Sequence, residues 1–176
     1  MIAATGLSGD AAIIDIGSGA SRLVDDLLKR KFRNVTVLDL SGAALLAAKQ
    51  RLGAAGSDVQ WVVADVTKWE TTETFDLWHD RAAFHFLTAA EDRAVYLSRL
   101  KSALKPGGYC IIATFAPDGP ERCSGLEIVR YDAESLSRAL GDQFSLLKTE
   151  RHSHMTPWKS EQRFQFSLFC HSACNI

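Results

Sequence analysis

A chain of 176 residues, 47% hydrophobic and 23% charged, has room for one globular domain with a full core, spanning 1–176, and none for a second. Its 20 basic and 21 acidic residues leave a formal charge of -1, so no charge excess draws it to nucleic acid or to an anionic membrane, and a ligand must be read in a pocket. Four cysteines without a CxxC pair, and no basic-then-apolar leader, point to reduced thiols in a cytoplasmic protein; the apolar runs fall well short of the ~20 residues that span a bilayer.

In chain order, Ala12 to Ile16 reads as a short β-branched strand that ends in Gly17-Ser18-Gly19, and Leu23, Val24, Leu27 and Leu28 then recur with helical period. Val35 to Leu40 is a second strand. Ser41 is the natural N-cap of a helix carrying Ala44, Leu45, Ala48 and Leu52 and stopping at Gly53. Val59 to Asp65 is the third strand and Phe75 to Trp78 the fourth. Glu91 to Leu104 is a helix closed by Lys105-Pro106-Gly107-Gly108, and Tyr109 to Phe115 is the fifth strand. This alternation predicts an α/β fold, a Rossmann-like doubly wound sheet, mostly parallel, with helices on both faces.

The end of the chain differs. After a helix over Ala133 to Leu140, capped by Asp132 and Gly141, come two extended runs with only "TPWKSEQ" between them. The second, Arg163 to Cys170, alternates with period two, which predicts an antiparallel hairpin on the sheet edge.

The glycine turn brings backbone N–H groups close to a ligand at a helix start. A dinucleotide fingerprint wants a third glycine where this chain has Arg22, which disfavours a dehydrogenase. Asp15, Asp39 and Asp65 stand at or beside the carboxyl ends of the first three strands, where a carboxylate can accept ribose hydroxyls. Three acids there suit a ligand with hydroxyls, an amine and positive charge, and they do not suit phosphates.

At this point the chain resembles the class I S-adenosylmethionine-dependent methyltransferases. "DIGSGAS" is similar to their first motif, "VLDLS" to the second, "ADVT" to the third, "FDLWHDRA" to the fourth and "LKPGGYCIIATF" to the fifth strand and its approach, all in order between about Ala12 and Phe169. The resemblance implies S-adenosylmethionine as methyl donor and S-adenosylhomocysteine as product. It implies that Asp15, Gly17, Ser18 and Gly19 hold the methionine part and Asp39 the ribose. Leu40 would flank the adenine with Ser41 beside it in the same motif, and Asp65 and Val66 would hold the adenine amino group. It also implies an antiparallel terminal hairpin, matching the periodicity. Ser21 stands where the family has a third glycine. Trp61 and Trp69 are read as packing residues.

Methyl transfer from a sulfonium is an in-line displacement, so the protein's task is to bring the reactants together; a base matters only if the acceptor starts protonated. His79, Asp80 and Arg81 occupy the end of the fourth strand and are the catalytic candidates. Asp80 holds the donor's ammonium or orients His79; Arg81 binds an acidic acceptor or pairs with Asp80 at the surface. Phe84 and His85 either pack a helical turn or line the acceptor pocket. The run is similar to thiopurine-type S-methyltransferases, with Asp92-Arg93-Ala94-Val95-Tyr96 after it, and more loosely to elongation-factor-type protein-lysine methyltransferases. No Asn/Asp-Pro-Pro-aromatic tetrapeptide is present, which weighs against nucleobase and glutamine amino groups. The acceptor is left open between a small molecule, with a slight lean to a thiol, and a protein lysine. A non-catalytic donor-binding module is the rival reading.

His152, His154, Cys170, His171 and Cys174 could meet near the hairpin, but their spacing matches no metal motif, and no metal is expected. Pro157 and Trp158 suggest a structural turn or an acceptor-site wall. Cys123 lies in a glycine- and proline-containing loop of the kind that shapes acceptor pockets. Only eleven residues precede the first strand, whereas the resembled family carries a longer covering segment. The expectation is an open site, a cover supplied by a partner or second copy as in a homodimer, or a shortened form with weak turnover.

Overall fold

The computed structural model describes residues 1–19, 21–155 and 161–172. Strands β1 (Ala12–Ile16), β2 (Asn34–Asp39), β3 (Gln60–Val63), β4 (Phe75–Arg81) and β5 (Leu104–Phe115) alternate with helices α1 (Leu23–Lys29), α2 (Gly42–Leu52) and α3 (Ala90–Ala103). After β5 come β6 (Arg122–Cys123), β7 (Leu126–Glu127), α4 (Ala133–Leu140), β8 (Phe144–Met155) and β9 (Glu161–His171). The large sheet has the order β3-β2-β1-β4-β5-β9-β8: the first five strands are parallel, and β9 runs antiparallel to both β5 and β8. This is the doubly wound sheet with a terminal hairpin that the sequence predicts.

Alternation along the strands separates two cores. Ile14, Trp78 and Ile112 point to one face, where Tyr96 and Leu100 of α3 and Leu136 and Leu140 of α4 cover them. Ile13, Leu77 and Ile111 point to the other, under Val24 and Leu27 of α1 and Leu45 of α2. Trp61 and Trp69 pack against these two clusters, as expected. The order reverses between β1 and β4, so the loops leaving their carboxyl ends splay apart, and a ligand crevice opens there.

The caps follow the sequence. Ser41 accepts a hydrogen bond from the Ala44 amide, and Asp132 forms a reciprocal capping box with Ser135. Several boundaries differ. β2 stops at Asp39 and β3 at Val63, which leaves Leu40 and Asp65 in the loops beyond them. β5 begins at Leu104 instead of Tyr109, because Leu104 pairs with Phe75 before the register shifts across Lys105–Gly108. β4 runs three residues past Trp78: Asp15 faces His79 and Ile16 faces Asp80 on one side, and Arg81 faces Ala113 on the other. Pairing on both flanks carries the strand through a polar triplet that by itself reads as a strand end.

Candidate functional site

The turn after β1 is held by the backbone and by Asp39. Gly17 and Gly19 both adopt left-handed conformations, with φ of 64° and 53°. The Gly17 amide donates to the Leu38 carbonyl at 2.8 Å, and the Gly19 amide donates to Asp39 Oδ2 at 2.7 Å. Asp39 Oδ1 accepts from the Ser41 amide at 2.7 Å, so one carboxylate ties the glycine turn to the start of α2. Ser41 is thereby used in capping and in this tie.

Two cavities meet at this edge. The larger, about 590 Å³, has Asp39, Leu40, Asp65 and Val66 on one wall and Ala83, Phe86 and Leu87 on the other. Leu40 is 73% exposed, an apolar surface turned to this opening instead of to the core. Asp65 Oδ1 accepts from the Thr67 amide and hydroxyl at 2.9 and 2.7 Å; the hydroxyl bond is the main cause holding this carboxyl below its ordinary range. The β6–β7 hairpin adds Leu126 and Glu127 to the rim. The sequence reading did not separate this hairpin from the loop around it. Its signal is Ser124-Gly125, both at positive φ, the two-residue turn that joins twisted strands.

The smaller cavity, about 320 Å³, holds Asp15, Ser18, His79, Arg81, Cys123 and Gln162. Asp15 and His79 are register neighbours on β1 and β4, and Asp15 Oδ1 lies 2.7 Å from His79 Nδ1. In the tautomer whose Nδ1–H donates to Asp15, Nε2 of the neutral ring is left as an acceptor. Asp15 Oδ2 and Ser18 Oγ are buried without a hydrogen-bond partner among the described residues. A buried carboxylate oxygen in that condition is costly unless something else donates to it. Ala82 lines both cavities and has φ of 66°, a conformation that is strained for any residue with a Cβ.

The remaining candidates lie elsewhere. Successive residues of a strand point to opposite faces, so Asp80 and Arg81 are not paired. Asp80 is fully buried and lines neither cavity: it accepts from the Ala83 and Phe84 amides and, at 2.7 Å, from the Tyr96 hydroxyl, which in turn accepts from Trp78 Nε1. Burial pushes its carboxyl up to about 6. From inside β4 its carboxylate organises the turn that follows the strand, and it lines neither ligand cavity. By drawing the Phe84 amide inward, Asp80 sends Phe84 into the core between Tyr96 and Tyr131. His85 is also fully buried, against Phe86 and Phe115, and burial lowers its imidazole to about 4. Phe86 and Leu87, not Phe84 and His85, face the large cavity.

No cluster of three or more potential metal ligands occurs among the described residues. His152 lies edge-on to Phe166, and His171 stacks on Phe144; Cys174, Pro157 and Trp158 lie outside the described residues. No helix among the described residues is long and apolar enough to cross a membrane.

Comparison with known proteins adds an independent line. Residues 13–108 match a family model described as a methyltransferase domain. The chain is 26% identical over 150 residues to a malonyl-[acyl-carrier protein] O-methyltransferase of Ilyobacter polytropus, covering 78% of this chain and 56% of that protein. It is 31% identical over 147 residues to a trans-aconitate 2-methyltransferase of Paracidovorax citrulli, covering 81% and 53%. The chain thus spans about half the length of these curated relatives. In fold it superimposes on a SAM-dependent methyltransferase from Methanosarcina mazei with a TM-score of 0.79, 15% identity, and 98% and 97% of the two chains covered.

Proposed function

The chain belongs to the class I S-adenosylmethionine-dependent methyltransferase family, and from that premise we propose that it transfers the donor's methyl group to a small-molecule acceptor seated in the smaller cavity beside His79. The observation that carries this reading is Asp15 Oδ2, a buried carboxylate oxygen on the smaller cavity with no hydrogen-bond partner among the described residues, two positions before Gly17, which lines both cavities. A cationic amine of the donor's methionine part would satisfy it. The rest of the site fits the same ligand. Each Asp39 oxygen uses one lone pair on a backbone amide and keeps another for a ribose hydroxyl. Leu40 and Val66 offer apolar contact to an adenine, and Asp65 an acceptor for its amino group.

The bound donor supplies a methyl already activated on a sulfonium, so the chain's residues position, exclude water and manage a proton where one exists. The acceptor's lone pair forms the new bond to the methyl carbon as the sulfur–carbon bond breaks, with that electron pair retained by sulfur. An ionised nucleophile needs no further help. A protonated one, such as the thiol towards which the sequence leans, would pass its proton to His79 Nε2 while Asp15 holds the ring from Nδ1. Ala82, common to both cavities, marks where the reactants meet.

The test is binding followed by transfer. Calorimetry should find S-adenosylhomocysteine bound and NAD not bound; no binding of either ligand refutes the proposal. A methyl-labelled donor should then lose label to a small thiol or acid in preference to a lysine peptide. Label that stays on the donor with every acceptor would make the chain a binding module only. Asp39→Ala should weaken S-adenosylhomocysteine by roughly 1–3 kcal/mol, because it removes the ribose acceptor and frees the Gly19 and Ser41 amides together. An unchanged affinity in that titration refutes the ribose role.

A further inference from the structure

Among the described residues Arg81 is the one arginine or lysine on the wall of the smaller cavity, and its surroundings leave it uncommitted. Neighbouring arginines on the terminal hairpin are already engaged: Arg151 and Arg163 both approach Asp118, at 3.8 and 3.2 Å. Among the described residues no carboxylate comes within ion-pair distance of Arg81. Its guanidinium instead lies over the Phe164 ring, 5.8 Å from the centroid. A contact over the ring face does not use the N–H donors, which stay available to an anion.

The charge pattern of the two cavities is complementary to this. The larger is lined by Asp39, Asp65 and Glu127 with no cation among the described residues, which suits the ribose hydroxyls and adenine amino group of the donor and its sulfonium. In the smaller, the only acid among the described residues is Asp15, whose Oδ1 is bound to His79. We propose that Arg81 anchors a carboxylate of the methyl acceptor, so that the substrates of this chain are small organic acids. The proposal rests on the smaller cavity being the acceptor site. One guanidinium fork matches one carboxylate, with neutral donors from Gln162 and Ser124 on the same wall, and no second arginine or lysine lines it among the described residues to neutralise a phosphate dianion. Arg81 ends β4 and is followed by Ala82, which lines both cavities, so the anchor stands on the same segment as the junction between them. The anion also offsets the positive charge that the donor brings. The anchor is separate from the reacting atom and applies equally to an acid that presents a thiol or a second carboxylate.

The experiment uses the wild-type chain saturated with S-adenosylhomocysteine and titrated with glutarate or with its uncharged dimethyl ester, followed by NMR of the isotope-labelled protein. Glutarate is expected to bind and to shift resonances around the smaller cavity, while the ester does not. Arg81→Gln is expected to weaken glutarate about tenfold to a hundredfold. Arg81→Lys should recover part of that loss, since charge returns without the fork. The affinity for S-adenosylhomocysteine should stay within about twofold in both variants. Glutarate that fails to bind the wild-type chain, or binds Arg81→Gln equally well, overturns the carboxylate assignment and leaves the donor reading standing; so does an ester that binds as tightly as the acid. A wild-type chain that does not take up S-adenosylhomocysteine overturns the donor reading itself.

Discussion

Replacing Gly17 by alanine is expected to remove donor binding, with S-adenosylhomocysteine weakened by at least about 3 kcal/mol, a hundredfold or more. A Cβ built on Gly17 would sit 2.6 Å from the Ala83 Cβ, far inside van der Waals contact, at a residue whose φ of 64° already disfavours a side chain. Neither partner can step aside cheaply. Ala83 has no flexible end to rotate away, and its amide is held at 2.9 Å by Asp80, which also holds Phe84 in the core. Gly17 cannot retreat without losing its 2.8 Å bond to the Leu38 carbonyl and pulling on the Gly19–Asp39 tie. Both residues line the larger cavity, so relief of the clash changes the donor site's shape. Circular dichroism separates this from unfolding, because the affected turns lie beyond the strand ends. The double variant Gly17→Ala/Ala83→Gly restores clearance but not the backbone conformation, and should recover part of the affinity. A single Gly17→Ala variant that binds like the wild type would show that this approach does not shape the site.

That prediction depends on contacts between distant segments, and such contacts mark the limit of what the sequence carries. Caps and turns with local chemistry were legible: Ser41 and Asp132 announce the helices that begin one residue later by bonding amides three residues on, and the alternation of Arg163 to Cys170 announces a strand with one face buried. The acidic strand ends were legible too, because the carboxyl edge of a parallel sheet is where ligands go. The fourth strand was harder. Period-two alternation says that Asp80 points away from His79 and Arg81, but only once the strand is known to continue through all three, and that is decided by pairing with β1 and β5. Which of Phe84 to Leu87 faces a ligand depends in the same way on Asp80 capturing the Phe84 amide and on Tyr96, sixteen positions later, receiving it from behind. The shared wall from Cys123 to Gln162 joins a small hairpin to the terminal one, and no local pattern links them.

The buried pair Asp80 and His85 should give this fold two opposed pH dependences, visible when each is removed. His85 is lowered to about 4 by burial, against about 6.5 in an unfolded chain. Between those values the unfolded state takes up a proton that the folded state refuses, so the stability due to a neutral His85 is complete above pH ~6.5 and is lost as the pH falls towards ~4. Asp80 has the reverse sign. Burial raises it to about 6, against ~3.9 unfolded, so its contribution is complete below pH ~3.9 and is lost as the pH rises through ~6. Each shift corresponds to about 3 kcal/mol over its full range. In the wild-type chain the two slopes cancel in large part over pH 4–6.5. Acids held low by Arg51, Thr67 and Ser135, namely Asp25, Asp65 and Asp132, contribute acid sensitivity common to every variant. His85→Phe removes the first slope, together with two buried ring nitrogens that have no partner among the described residues. Its unfolding free energy should therefore rise relative to wild type as the pH is lowered from 6.5 to 4. Asp80→Asn removes the second slope and forces one amide N–H towards the donors that Asp80 now accepts. It should be less stable at every pH, and its deficit should grow as the pH falls. Urea unfolding across pH 4 to 7.5 reads both slopes; parallel curves for His85→Phe and wild type would mean that the imidazole takes up its proton in the folded chain as readily as in water.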